Sequence, residues 1–256
     1  MMGKITKIIF QDNIRSKIVI FYFCLLALLS WTSMLLQDNE AKAALTMLNI
    51  VLFIVPLMSL LYTIVYLYDA HNFIVLLLSQ PVTRQRVWWS FYCGIAGGLL
   101  IAYLLGAGIP VMLFASPLTA ALQLLAGCVS TLVFVSLAFL ITMLTSEKTR
   151  GIGAGLLIWL LLTMIYDSVL LYLVFLLGEY PIERPLMGLL MLNPLDLVRF
   201  QIILQMDASA MMDYSGAAMK EFLGATGGMI VSAFLLTVWA ALPYALSLRL
   251  FRKKDL

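Results

Sequence analysis

Asp167 lies in the middle of a long apolar run, "LLTMIYDSVLLYL". An ionisable side chain at such a depth is costly and ordinarily faces a bundle interior or a water-filled cavity. The cores of the apolar runs contain no lysine or arginine, so the sequence predicts no buried ion pair for it within the chain. That leaves protonation, or hydrogen bonds to Tyr166, Thr163 or a polar residue of another helix. A structural polar lock fits this residue, and so does a lining position in a conduit or subunit interface. A membrane-embedded enzyme built on Asp167 is disfavoured, because no second intramembrane acid, histidine or serine-lysine pair accompanies it.

Other chemistries are bounded by what the chain lacks. His71 is its single histidine, which excludes paired-histidine zinc motifs. No Gly-x-x-x-x-Gly-Lys phosphate loop occurs, so the chain does not hydrolyse ATP by that route. Cys24, Cys93 and Cys128 fall inside apolar runs and read as small buried apolar residues, not as a disulfide or thiolate site. Of 15 methionines, Met187, Met191, Met206, Met211, Met212 and Met219 gather between the fifth and sixth runs. Thioether sulfur suits Cu(I), but methionine is also a flexible filler of apolar contacts and no cysteine or histidine joins these. No metal site is assigned.

The elements that position these residues follow from composition. Across 256 residues, 63% are hydrophobic and 11% charged, far from the roughly one quarter charged that a soluble surface needs. A formal charge of +3 is no argument for nucleic acid. Six apolar runs reach spanning length: Ile18–Leu36, Leu45–Tyr66, Ser90–Phe114, Leu118–Leu144, Gly151–Leu177 and Gly227–Leu248. The first is longer than a signal-peptide core and is followed closely by the second, so it reads as a retained helix. Connecting segments on one side hold 12 lysines and arginines against 4 on the other, which places both termini in the cytoplasm. The expected fold is all-α and membrane-integral, a single transmembrane domain over residues 1–256.

Three segments outside the spans carry structure of their own. Residues 1–17 read as a helix in the inner headgroup layer, with Ile5, Ile8, Ile9 and Phe10 approximating one face beside Lys4 and Lys7. Residues 67–89 form a cytoplasmic loop containing "LLLSQPVTRQRVWW". Its helix-compatible run is too short to cross and ends at Pro81. Arg84 and Arg86 then hold the chain at the headgroups, and Trp88 and Trp89 mark the return to the membrane interface. Phe73, Ile74, Leu77 and Leu78 either pack beneath the spans or form a contact surface for a partner. The external segment 178–226, about 49 residues, is too long for a turn. Within its "NPLDLVRF", Asn193 suits an N-cap, Pro194 the first helical position and Asp196 the positive helix end. A helix from Pro194 to about Met206 would show Leu195, Val198, Ile202 and Met206 on one face and Arg199 near the other. Gly94/Gly98, Gly151/Gly155 and Gly224/Gly228 permit close helix approach. Pro56, Pro110 and Pro243 read as kinks.

"LLLSQPVTRQRVW" resembles the cytoplasmic loop of ABC-2 type permeases, where Leu-Leu-Leu-Ser-x-Pro-(Val/Ile)-(Ser/Thr)-Arg joins spans two and three. The acids and Gly-Thr that often precede it are replaced by "DAHNF", and the following Gly-Lys by Trp88-Trp89. "NPLDLVRF" and "MDYSGA" resemble elements of permeases from the nitrous oxide reductase maturation system. The resemblance implies a bacterial inner-membrane subunit, working as a homodimer amid membrane lipids with a separate cytoplasmic ATPase that binds ATP and Mg. It implies ATPase coupling through Asp69, His71, Phe73, Ile74, Leu77, Leu78, Pro81, Arg84 and Arg86. An external gate would use Asn193, Pro194, Asp196 and Arg199, with Met212, Tyr214 and Met219 docking a periplasmic accessory protein. Copper-centre assembly is the implied task; general export of a lipid, peptide or drug, or a membrane scaffold, are the alternatives.

Overall fold

A backbone surrounded by lipid must satisfy its own N–H and C=O groups, so each apolar run becomes a helix. The computed structural model describes residues 2–37, 40–177, 188–205 and 225–253, and every regular element among them is helical. In chain order these are α1 (Met2–Arg15), α2 (Lys17–Leu35), α3 (Glu40–Asp69), α4 (His71–Leu78), α5 (Arg84–Gly106), α6 (Gly108–Phe114), α7 (Pro117–Leu144), α8 (Lys148–Leu160) and α9 (Tyr166–Leu177), followed by α10 (Pro194–Gln205) and α11 (Ala225–Lys253). A π-helical turn, Leu161–Ile165, joins α8 to α9. Six stretches are long and apolar enough to span a membrane: α2, α3, α5 with α6, α7, α8 through α9, and α11. They coincide with the six predicted runs, and the protein is a multi-pass membrane protein.

Span four, α7, sits at the centre. Two thirds of its most apolar window (67%) is buried, against 11% for span five. It packs on α3, α5, α10 and α11. One core cluster joins α1, α2, α5 and the end of α11; another joins α3, α7, span five and α10. Pro56 lies inside α3 and Pro243 inside α11, while the third span breaks at Ala107, ahead of Pro110.

The N-terminal helix does more than float among headgroups. Its buried face is Ile5, Ile9 and Asn13, one residue per turn, whereas Ile8 is exposed. These three residues run along α5, where Gly94 and Gly98 lack the side chains that would collide with Ile9 and Asn13. The Asn13 amide donates to the Ile95 carbonyl at 3.0 Å. Gly151 and Gly155 do the same service for span five, admitting Tyr68 and Ile64 of α3. Gly224 lies outside the described residues.

Candidate functional site

The polar centre of the molecule assembles where α10 meets the π turn of span five. A π turn uses one more residue than an α turn, so the helix beyond it is rotated by roughly 100°. That rotation sets the facing of Asp167, two residues further on. The Asn193 side-chain amide donates to a carbonyl of this turn, Leu162 O, at 2.9 Å. The same Asn193 caps α10: its Oδ1 accepts from the Leu195 N–H at 3.1 Å, and its amide also donates to Asp196 Oδ2 at 3.0 Å. Pro194 fills the first helical position, where no N–H is required.

Arg199 completes the arrangement. Its Nη1 lies 3.3 Å from Asp167 Oδ2 and 3.5 Å from Asp196 Oδ1. An ion pair within the chain therefore forms, though not a buried one: both side chains are about one third exposed. The cation comes from α10, which folds into the bundle instead of lying on the membrane surface. Leu195, Leu197, Val198 and Ile202 are buried against α3, α7 and α11. Of the partners expected for Asp167, the polar residue of another helix is the one found, Arg199 of α10; the Thr163 hydroxyl donates instead to Trp159 O, and the Tyr166 hydroxyl to Leu189 O.

Two carboxyls and one guanidinium leave one negative charge in excess. Asp196 is 6% exposed. Burial first, then the neighbouring Asp167 carboxylate, push it up to about 7, against the pull of Arg199 and the Asn193 amide. A protonated Asp196 makes the trio neutral. A cavity of about 170 Å³ borders the trio, lined by Asn49, Leu52, Phe53, Thr163, Asp167 and Arg199. The centre can hold or release a proton beside that cavity while pinning α10 to span five.

The second assembly lies at the basic end. α4 stands outside the spans, with Ile74 and Leu77 buried beneath it and Leu78 half-buried. Val75 and Leu76 point away, Leu76 being 57% exposed, while the ring of the partly exposed Phe73 lies against buried Phe91 of α5. Of the two alternatives the sequence left open, packing beneath the spans is the one that Ile74 and Leu77 adopt, while Val75 and Leu76 are exposed. Asp69 bonds Lys148 at 2.6 Å, tying the end of span two to the start of span five. His71 is exposed at the rim of a cavity of about 240 Å³ that Tyr68, Trp88, Thr145 and Phe251 also line. Pro81 follows the end of α4, and Arg86 is exposed. Arg84 donates to the carbonyls of Phe251 and Arg252, closing span three onto span six.

Trp88 differs from expectation. It is fully buried, stacked on Phe251 at 4.2 Å between ring centres and donating to Ser247 Oγ at 3.1 Å. It is a core residue, not an interface anchor; Trp89 beside it is exposed. Cys24 is exposed, whereas Cys93 and Cys128 are half-buried. Met191 packs on the core beside α10. Met187, Met206, Met211, Met212, Tyr214 and Met219 lie outside the described residues. Among the described residues, no group of histidine, cysteine and acidic side chains could hold a metal ion.

The chain is 27% identical over 220 residues to a protein of Pseudomonas aeruginosa named probable ABC transporter permease protein NosY, covering 80% of this chain and 77% of that one. The chain is thus similar to an ABC transporter permease. No family model matches it. The two assemblies fall at opposite ends of the spans. α4 lies at the end that carries the basic segments, and the Asp167–Arg199 pair lies well along span five from it. Lys148 and Asp167 bracket that separation on a single helix. Sequence reasoning missed Arg199 as the partner of Asp167, although the signal was present. Asn193, Asp196 and Arg199 are spaced three apart, which keeps them on neighbouring turns of one helix face.

Proposed function

We propose that the chain is the membrane subunit of an ABC transporter that receives force from a separate cytoplasmic ATPase on α4 and delivers it to α10. The carrying observation is the exposed surface of Phe73, Val75 and Leu76 on a helix anchored from below by Ile74 and Leu77. A soluble partner could grip that surface, and Asp69–Lys148 would pass its displacement directly into span five. At the other end the displacement meets the Asp167–Arg199 pair, whose separation would free α10. ATP and Mg belong to the ATPase in this reading, and both termini of the permease face the cytoplasm across a bacterial inner membrane. A homodimer is supported by span five, whose long apolar face is covered by little else in the chain.

The narrower task we propose is copper-centre assembly in nitrous oxide reductase, with α10 and the residues after it meeting a periplasmic accessory protein. The Asn193–Asp196–Arg199 spacing within "NPLDLVRF" supports it. Val75→Asp together with Leu76→Asp tests the coupling. The double variant should reach the membrane at normal levels but lose most of the ATPase that co-purifies with wild type. Undiminished ATPase binding and hydrolysis would overturn the coupling role. Failure of any periplasmic protein to bind the intact complex would instead favour general export.

A further inference from the structure

We propose that the groove between the first and third spans is a binding site for one anionic phospholipid of the leaflet on the basic side. The groove has a volume of about 180 Å³, and its lining includes Ile14, Val19, Ile20, Phe23, Ile101 and Leu105. It starts where α1 breaks from α2 at Ser16, a residue in extended conformation. From there it follows both spans into the bilayer: Gly98 lines one end, and Leu105 lies roughly 10 Å further along the helix. Its walls offer almost nothing to hydrogen-bond, so the part of a ligand that enters must be hydrocarbon.

The mouth has the opposite character. Arg15 and Lys17 flank Ser16, both are exposed, and neither has an ion-pair partner among the described residues. The acid nearest in sequence, Asp12, is engaged by the Tyr66 hydroxyl at 2.9 Å. Two exposed cations, next in the chain to groove-lining Ile14 and at the head of the span whose Val19 and Ile20 line the hydrocarbon slot, match a phosphate headgroup with one acyl chain entering that slot. A zwitterionic headgroup would gain less, because its own cation sits beside the same two side chains.

The site also has a reason to exist. α1 is held to α5 by Asn13 and the two glycines, and the groove is the gap left where α1 turns away into α2. Lipid filling that gap would brace the α1–α2 bend against α5.

Native mass spectrometry of the full-length chain in detergent tests this, with phosphatidylglycerol and phosphatidylcholine of identical acyl chains as probes. Wild type should retain one phosphatidylglycerol per chain with a preference over phosphatidylcholine on the order of tenfold, the size expected of two basic side chains beside an anionic headgroup. R15Q/K17Q should bind both lipids with equal, weaker affinity. I20W, at a half-exposed position on the groove wall, should lose retention of both lipids without harming the fold. No headgroup preference in wild type, or a preference that survives R15Q/K17Q, would overturn the proposal. So would an interchain disulfide formed by I101C in a cysteine-free background, since that would seat a second copy of the chain on the groove.

Discussion

Asp196 is a carboxyl whose surroundings favour its neutral form, and this has a consequence for stability. Burial and Asp167 raise it to about 7 in the folded chain, while an unfolded aspartate titrates near about 4. Between those values the folded state holds a proton that the unfolded state has released. The stabilisation is therefore complete at acidic pH and is lost as pH rises through about 7. Thermal unfolding in detergent should show a melting temperature several degrees lower at pH 8 than at pH 5, and Asp196→Asn should flatten that slope. Asp167→Asn should move the slope to lower pH, because the nearby carboxylate that raises Asp196 is gone. Asp167 and Arg199 are each about one third exposed, so their pair is screened and its direct worth is modest. A double-mutant cycle of Asp167→Asn and Arg199→Gln should give a coupling of about 1 kcal/mol; an absent coupling would show that the pair does not hold α10.

α4 and α1 are both short helices secured by a minority of their residues. Leu77→Asp should destabilise the chain and lower its membrane level, since the new charge would be buried under α4. Leu76→Asp should leave the level unchanged and affect only partner binding, as measured by co-purification. The contrast between adjacent residues separates support from contact. On α1 the critical partner is a glycine: a leucine at Gly98 would occupy the space of the Asn13 side chain. Gly98→Leu should therefore release α1 from α5, read as faster proteolysis of the N-terminal helix in membranes. Equal proteolysis in wild type and variant would mean that α1 is held elsewhere.

For the molecule as a whole, the six spans and their two ends constitute one testable arrangement. Single cysteines replacing Ser146 and Ser209, in a background without the native cysteines, should react with impermeant reagents from opposite sides of the membrane, with Ser209 accessible from outside. Reaction of both from one side would contradict an odd number of crossings between them. Span five separates the two positions, but Ser209 lies beyond α10, so the result also reports that α10 enters and leaves on the same side. The central burial of α7 makes it the frame on which α3, α10 and α11 can shift. Span five, covered on little of its surface, is the element with room to move or to meet a second copy.

Length and hydropathy alone determined the six helices, because lipid leaves a spanning backbone no other way to satisfy its polar groups. Local chemistry set the cap at Asn193 and the stop at Pro81, since capping and proline geometry act over a few residues. Pairings between distant segments were not decided there. Arg199 looked like a surface cation until α10 folded inward and met Asp167 across 32 residues of chain. The π turn that orients Asp167 has no signature in the apolar run around it, because leucine, threonine and methionine fit an α turn equally well. The outward face of α4 could not be read from its hydrophobic residues, all of which suit either side; only packing against α5 buried Ile74 and Leu77 and left Val75 and Leu76 exposed. The same holds for Trp88, whose indole was free to seek the membrane interface until Phe251 and Ser247, at the far end of the chain, supplied a ring to stack on and an acceptor to bond.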